Sequence, residues 1–261
     1  MIAITGGNGQ LGRMIVEELK ALIGPGFVVT VRDTAKAADL AAQGFKVRAG
    51  DFDKPDEIAR ALEGCDTMLL MASNAAQDQR RIQHANAIEG AKKAGVGRIA
   101  FVGYLADQPD SPFASTPGIH YTLDYAKKAG YQPINLRNGN YAESGVGRAQ
   151  EALKTGALTL PCGDGKVSYV SRRDLARATA KILAETGNEG RAYALTGVAA
   201  YTNADLAKVA SRVAGKTIPY NDISPEDYKA SLVAANAPAP RLVGPAGHSS
   251  AIKVRNAQSL E

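Results

Sequence analysis

The chain is poor in cysteine and histidine, and what it has is scattered. Its two cysteines, Cys65 and Cys162, lie far apart and in no paired spacing. That argues against a disulfide framework or a thiolate zinc site and suits a reducing, cytoplasmic compartment. The three histidines, His84, His120 and His248, fall at no metal-ligand spacing, so no metal centre is expected. No apolar run is long enough to span a bilayer, and the first residues read as a strand rather than a signal peptide, so no membrane partner is expected. Internal repeats and low-complexity blocks are also missing. No dense Lys/Arg block accompanies the net charge of +5. Such mild basicity fits a phosphate-bearing small molecule at least as well as nucleic acid, and no nucleic-acid partner is expected.

What is present points to a folded enzyme-sized domain. The 261 residues are 45% apolar and 22% charged, enough for one large domain or a domain with a smaller appendage. Strand-like runs at 1–4, 27–31, 45–48, 67–72, 98–104 and 134–137 alternate with helical stretches. The first helix carries Leu11, Ile15, Leu19 and Leu22 at helical spacing, with Met14 and Ile23 widening the stripe, and Gly24-Pro25-Gly26 ends it. Further helices are expected at 34–43, from Pro55, at 77–94 and at 119–129. Strands alternating with helices of about 10–15 residues give parallel βαβ units. The expected fold is therefore α/β, a Rossmann-type doubly wound parallel sheet over 1–138. From 139 to 236 the rhythm changes: helices at 148–154, 172–185, 203–214 and 225–235 are separated by short strands at 157–160, 192–195 and 217–220. This reads as a smaller C-terminal α/β subdomain on the substrate side, interleaved with the first. Residues 105–118 form a loop holding Pro109, Pro112 and Pro117, a candidate lid over the site. The tail 237–261, rich in Pro, Gly, Ala and Ser, is expected to be poorly ordered.

The segment ITGGNGQLGR places Gly6, Gly9 and Gly12 between a strand and an amphipathic helix. That context turns a weak three-glycine pattern into a dinucleotide fingerprint. Gly6 permits a sharp turn, Gly9 permits close approach of a diphosphate, and Gly12 permits close helix packing. The alternative is a plain glycine turn. An NAD site carries Asp or Glu about 20 residues on, to bond the ribose hydroxyl. Here the second strand ends in Val31-Arg32-Asp33. Arg32 suits a 2′-phosphate and favours NADP(H), although Asp33 is also placed for a hydroxyl and Arg32 is also readable as a solvated strand-end charge.

MIAITGGNGQLG, VRDTAKAADLAAQGFKVRAGDFD, RIAFVGYL and LRNGNYAES together resemble the NmrA-like, atypical short-chain dehydrogenase/reductase family. The likeness is greatest to its bacterial quinone-reductase and triphenylmethane-reductase group, and runs over about residues 1–235 in one order. The family's usual alanine after the first glycine is Gly7 here, which reads as a tolerable change. The resemblance implies a diphosphate loop of Asn8, Gly9, Gln10 and Leu11, and a 2′-phosphate contact at Arg32. It implies an adenine wall at Asp51 and Phe52, a cofactor contact at Ser73, and a nicotinamide end at Tyr104, Asn138 and Tyr141. Ser73 also reads as a turn residue, Phe52 as core and Tyr141 as a packing residue.

Most short-chain dehydrogenases pair a tyrosine with a lysine one helical turn later. Here Tyr121 is followed by Tyr125, and Tyr125 by Ala129, so the pair is missing. The family's quinone reductases also lack it. The expected activity is hydride transfer from NADPH to a quinone-like or conjugated aromatic small molecule, with proximity supplying most of the acceleration and solvent the proton. Tyr104 and His120 are the candidate catalytic residues for the other route, direct proton donation, with Asp124 one turn beyond His120. A non-catalytic NADP(H)-sensing regulator of the NmrA type is the alternative. The pattern sets no oligomeric state; a homodimer is the commonest assembly. After Pro240 the family's further helices are replaced by RLVGPAGHSSAIKVRNAQSLE, which bears on substrate range.

Overall fold

The computed structural model describes residues 1–111 and 113–235. The expectation of poor order from 237 on falls outside that range, as do His248 and Pro112. Elements run in the order β1 (Ile2–Ile4), α1 (Gln10–Ile23), β2 (Val28–Val31), a 3-10 turn (Thr34–Ala37), α2 (Ala38–Ala42), β3 (Lys46–Ala49), α3 (Pro55–Ala61), β4 (Thr67–Met71), α4 (Gln77–Lys93) and β5 (Arg98–Tyr104). There follow α5 (Thr116–Lys128), β6 (Ile134–Asn138), α6 (Ala142–Thr155), β7 (Leu158–Leu160), β8 (Lys166–Val167), α7 (Arg172–Ala184), β9 (Ala192–Leu195), β10 (Tyr201–Thr202), α8 (Asn203–Ala214), β11 (Tyr220–Asp222) and α9 (Pro225–Ala234). Among the described residues, no helix is long and apolar enough to cross a membrane.

The described chain forms two compact units. The first comprises Met1–Tyr104, Gly118–Asn138 and Arg172–Leu195. It holds a seven-stranded sheet in the order β3-β2-β1-β4-β5-β6-β9, every pairing parallel. The chain runs outward from β1 to β3, then returns to the other side of β1 with β4. That reversal creates a crevice beyond the carboxyl ends of β1 and β4, the place where open α/β sheets take ligands. The doubly wound Rossmann-like fold expected from the strand–helix rhythm is thus observed.

Burial explains the composition of the strands. Val28 to Val31 are all buried, as are Thr67 to Leu70, because helices cover both faces of a parallel sheet. β3 forms an edge and exposes Lys46, while Arg48 donates to the carbonyls of Ala61 and Glu63 at the end of α3. In α1 the buried face is Leu11, Gly12, Ile15, Val16 and Leu19. Met14, Leu22 and Ile23 are exposed, contrary to the wider stripe expected from spacing. The apolar contact of α1 stops at Leu19, and Gly24 at φ +75° turns the chain out of the helix.

The second unit comprises Leu105–Pro117, Gly139–Ser171 and the described residues from Thr196 on. Helices α6 and α8 pack together over Ala152, Leu158, Leu160, Val167, Ala207, Ala210 and Ile218. β7 pairs in parallel with β11, and β8 antiparallel with β10.

Several boundaries differ from the sequence reading. Segment 34–43 opens as a 3-10 turn because the Asp33 carboxylate accepts the Ala35 N–H and tightens it. The loop after β5 ends at Thr116, whose hydroxyl donates to the Ala106 carbonyl, so Thr116 and Pro117 belong to the first turn of α5. α6 starts at Ala142, earlier than propensity suggested, because Gly145 is a packing residue: a Cβ there would lie 3.2 Å from the Tyr169 ring. β11 begins only after Pro219, while the Ile218 N–H is taken by the Ser211 hydroxyl.

In α8 the Thr202 hydroxyl accepts the Asp205 N–H and the Asp205 carboxylate accepts the Thr202 N–H, a reciprocal capping box. The Thr202 hydroxyl, which donates to that carboxylate at 2.7 Å, then the Thr202 N–H and Lys208, hold the Asp205 carboxyl below its ordinary range. Thr202→Ala is expected to lower stability by about 1 kcal/mol in urea unfolding; an unchanged midpoint would remove the cap from the stability account.

Candidate functional site

The turn after β1 is built from backbone. Buried Thr5 ties β1 to β4: its N–H and its hydroxyl both donate to the Leu69 carbonyl, and the hydroxyl accepts the Met71 N–H. The chain then turns, with the Gly7 N–H on the Thr30 carbonyl (3.2 Å) and the Gly9 N–H on the Gly6 carbonyl (3.0 Å). α1 starts immediately afterwards. Its N-cap, Gly9, has no side chain to occupy the first-turn amides, and that turn carries no acidic residue. The positive end of the helix dipole and several N–H groups therefore face outward without a covalent counter-charge.

Close contacts make two of these glycines obligatory. A Cβ on Gly12 would lie 2.4 Å from the Gly6 carbonyl oxygen, so only glycine lets α1 start this close to the turn. A Cβ on Gly7 would lie 2.2 Å from Cγ1 of fully buried Val29. Gly7 is therefore more than a tolerable replacement for alanine: Val29 of β2 fills the space that an alanine methyl would need. The outer side of Gly9 is different, since a Cβ there would meet nothing but the Gly6 carbonyl at 3.3 Å. A phosphate can approach the backbone on that side.

Beside this turn, Asn8 accepts the Nε–H of Arg13 at 2.9 Å and also its Nη2. The same guanidinium pairs with the Asp39 carboxylate, by Nη1 and, at 2.9 Å, by Nη2. Arg13 thus braces the glycine turn against the segment that follows β2. Gln10 is exposed, whereas the Leu11 side chain is core, so Leu11 has only its backbone to offer a ligand.

At the end of β2 the two diagnostic charges are used differently. Asp33 caps the 3-10 turn (3.1 Å to the Ala35 N–H) and lies 3.8 Å from Lys36. Arg32 is exposed, and among the described residues no hydrogen bond or ion pair engages its side chain. After β3, the Asp51 carboxylate accepts the Asp53 N–H at 3.1 Å, and half-buried Phe52 packs on the core and accepts from Asn86 through its carbonyl.

After β4, the Ser73 hydroxyl accepts the Ala75 N–H and donates to Gln83. The Ser73 N–H donates to Nε2 of His84 at 3.0 Å. His84 is 1% exposed, and its Nδ1 lies 2.7 Å from the Thr122 hydroxyl, which itself donates to the Gly118 carbonyl. Burial, and then the charge of Arg80, push the His84 pKa down to about 4.

Tyr104 and Asn138 are neighbours across the ends of β5 and β6. Asn138 is 1% exposed, and neither the amide nitrogen nor the oxygen of its side chain has a partner among the described residues. A buried carboxamide left open in this way is costly unless a ligand or water completes it. In α5, Nε2 of half-buried His120 is likewise buried without a partner, and no bond joins His120 to exposed Asp124. Gly6, Arg32, Asp51, Ser73, Tyr104 and Asn138 thus all lie at or just beyond strand carboxyl ends of the first unit. Tyr141 belongs to the second unit, where it precedes α6 and bridges to Val170.

Thr5, Arg13, Val29 and His84 escaped the sequence reading. Only Thr5 and Arg13, directly flanking the glycine turn, carried a usable positional signal.

A family model described as NAD(P)H-binding matches residues 6–186. The chain belongs to that family. It is 38% identical over 240 residues to quinone oxidoreductase 2 of Escherichia coli K12, covering 91% of this chain and 83% of that protein. It is 30% identical over 238 residues to the NAD(P)H azoreductase of Xenophilus azovorans, covering 91% and 82%. Among solved structures, the NADPH complex of the E. coli NADPH-dependent quinone oxidoreductase superposes with a TM-score of 0.94 at 35% identity, over 99% of this chain and 91% of that one. The NADP(H) complex of Citrobacter sp. triphenylmethane reductase gives 0.91 at 31% identity, over 100% and 92%. The resemblance to the NmrA-like group holds along nearly the whole chain.

Gly7→Ala is expected to cost about 1–3 kcal/mol by overpacking against Val29. Combined with Val29→Ala it should cost less than the sum of the single changes, because loss of the two Val29 methyl groups makes room for the one added at position 7. Strict additivity in a chemical-unfolding double-mutant cycle would refute the complementarity.

Proposed function

We propose that the protein is an NADPH-dependent oxidoreductase that passes a hydride to a quinone-like or conjugated aromatic acceptor. The observation that carries the choice of NADPH is the division of labour at the end of β2. The Asp33 carboxylate is engaged by its own turn and by Lys36, while the Arg32 side chain at the end of β2 is exposed and has no partner among the described residues. An unpaired guanidinium matches a 2′-phosphate, and a carboxylate already hydrogen-bonded matches a ribose hydroxyl poorly. The acceptor class is supported by relatives whose names record quinone, azo-dye and triphenylmethane reduction.

In this reading the first-turn amides of α1 hold the diphosphate, and Asp51 and Phe52 wall the adenine. Ser73 contributes its backbone carbonyl, because its hydroxyl is already bonded on both sides and its N–H is taken by His84. Asn138 offers both an N–H donor and a carbonyl acceptor, the complement of the nicotinamide carboxamide, which answers its orphaned state. When bound, the reduced nicotinamide supplies the hydride. The chain's own work is orientation and exclusion of water. Reduction of a conjugated acceptor leaves an anion stabilised by resonance, so solvent suffices for the proton. Tyr104 and His120 are the side chains available if a direct donor is used.

NADPH oxidation with menadione, against NADH and a no-acceptor control, tests the activity; tight NADPH binding with no turnover across several acceptors would instead favour a sensor. Arg32→Ala is expected to weaken NADPH by about 1.5–3 kcal/mol, roughly ten- to a hundredfold, and NADH little. Equal weakening of both would make Arg32 structural. Tyr104→Phe and His120→Ala should each lower kcat by less than about tenfold; a loss of 10²–10⁴ would assign the proton to that residue.

A further inference from the structure

One buried histidine links two parts of the first unit that the proposed chemistry uses. His84 lies on α4, surrounded by the rings of Phe52 (6.5 Å between centroids) and Phe101 (5.5 Å), both edge-on. Its two nitrogens face in different directions. Nε2 receives the backbone N–H of Ser73, the loop residue after β4. Nδ1 lies against the Thr122 hydroxyl of α5.

The donors settle the tautomer. The Ser73 N–H can only donate, so Nε2 must be the bare nitrogen. The Thr122 hydroxyl sends its proton to the Gly118 carbonyl at 2.7 Å and so turns a lone pair toward the ring. The ring proton is therefore on Nδ1. The result is one directed chain from the Ser73 amide through the imidazole and Thr122 to Gly118. Gly118 opens the same helix that carries His120. A flipped tautomer would break the chain at both ends.

We propose that His84 is a positioning residue which, as a neutral Nδ1-protonated imidazole, locks the Ser73 loop to the start of α5 and so holds the cofactor wall in register with the helix that carries His120. This rests on the reading of the Ser73 loop as part of the dinucleotide site. The charged group that acts on the ring is Arg80, one turn earlier on α4. The other elements packed against it present Phe52, Phe101, Thr122 and the Ser73 backbone, none of which titrates near neutrality. Burial and Arg80 keep the ring neutral down to about pH 4. Across the neutral range the lock is closed. In acid, a protonated Nε2 faces the Ser73 N–H donor to donor, and the loop is released. The sign follows: a histidine whose folded pKa lies below its ordinary 6.5 resists protonation in the fold, so stability falls as pH drops from about 6.5 to about 4.

Calorimetric titration with NADP+, which survives acid better than the reduced form, tests the proposal. His84→Phe keeps ring volume and removes both nitrogens; it should weaken NADP+ roughly tenfold. His84→Gln, which restores an acceptor toward Ser73, should recover most of that loss. Thr122→Val leaves the loop untouched but removes the acceptor that fixes the tautomer; it should weaken NADP+ by about threefold or more. Wild-type affinity should decline more steeply below about pH 5 than that of His84→Gln, since protonation of the ligand's 2′-phosphate at about pH 6 acts on both alike. Nitrogen-15 NMR on a chain with three histidines should show one neutral ring protonated at Nδ1, perturbed by NADP+. Wild-type affinity in both folded His84→Phe and Thr122→Val, or an Nε2-protonated His84, overturns the proposal and leaves the dinucleotide site standing. A wild-type protein that binds no NADP+ overturns the site and the coupling with it.

Discussion

Everything in the proposed site depends on the first-turn amides of α1, which no acidic side chain of that turn neutralises. α1 begins on a glycine, has no acid in its first turn, and is pressed so close to the preceding turn that Gly12 admits no side chain. The packing that forces these glycines also bares the N–H groups. Fold stability and the proposed anion affinity therefore share one close approach, and an added methyl group on the inner side strikes structure first.

A second layer of residues sets the aim of that turn. Thr5 ties it to β4, and Arg13 ties Asn8 to the segment after β2 that bears Arg32 and Lys36. The Arg13–Asp39 pair is partly exposed, so it contributes little net stability; its effect is geometric, bringing two loops to one guanidinium. On the far side of the switch point, His84 does for the β4 loop what Arg13 does for the glycine turn, but from a dry interior where direction and tautomer matter more.

Legibility differed by length scale. The parallel sheet, its strand order logic and the glycine turn were readable because period and punctuation are local properties. Arg32 was singled out because it ends β2, and the structure shows it exposed and without a partner among the described residues. Ser73 was singled out by resemblance, and the structure shows its hydroxyl bonded to Gln83 and Ala75 and its N–H to His84, which leaves only its carbonyl for the proposed contact. α6 was read too short, from 148 rather than 142, because its start holds Gly145, which packs against the ring of Tyr169 from later in the chain. Met14, Leu22 and Ile23 were read as buried because spacing cannot tell where a neighbouring surface ends.

The sequence by itself determined the class of fold, the place of the glycine turn and the family. All three follow from residues close together in the chain. Tertiary structure alone decided that Val29 demands glycine at position 7, that Asp33 is engaged while Arg32 is not, and that the Asn138 carboxamide is buried with both ends open. It alone joined Ser73, His84 and Thr122. Those facts turn on which groups meet across distant strands and helices, and on whether a buried donor finds an acceptor. A linear pattern carries neither.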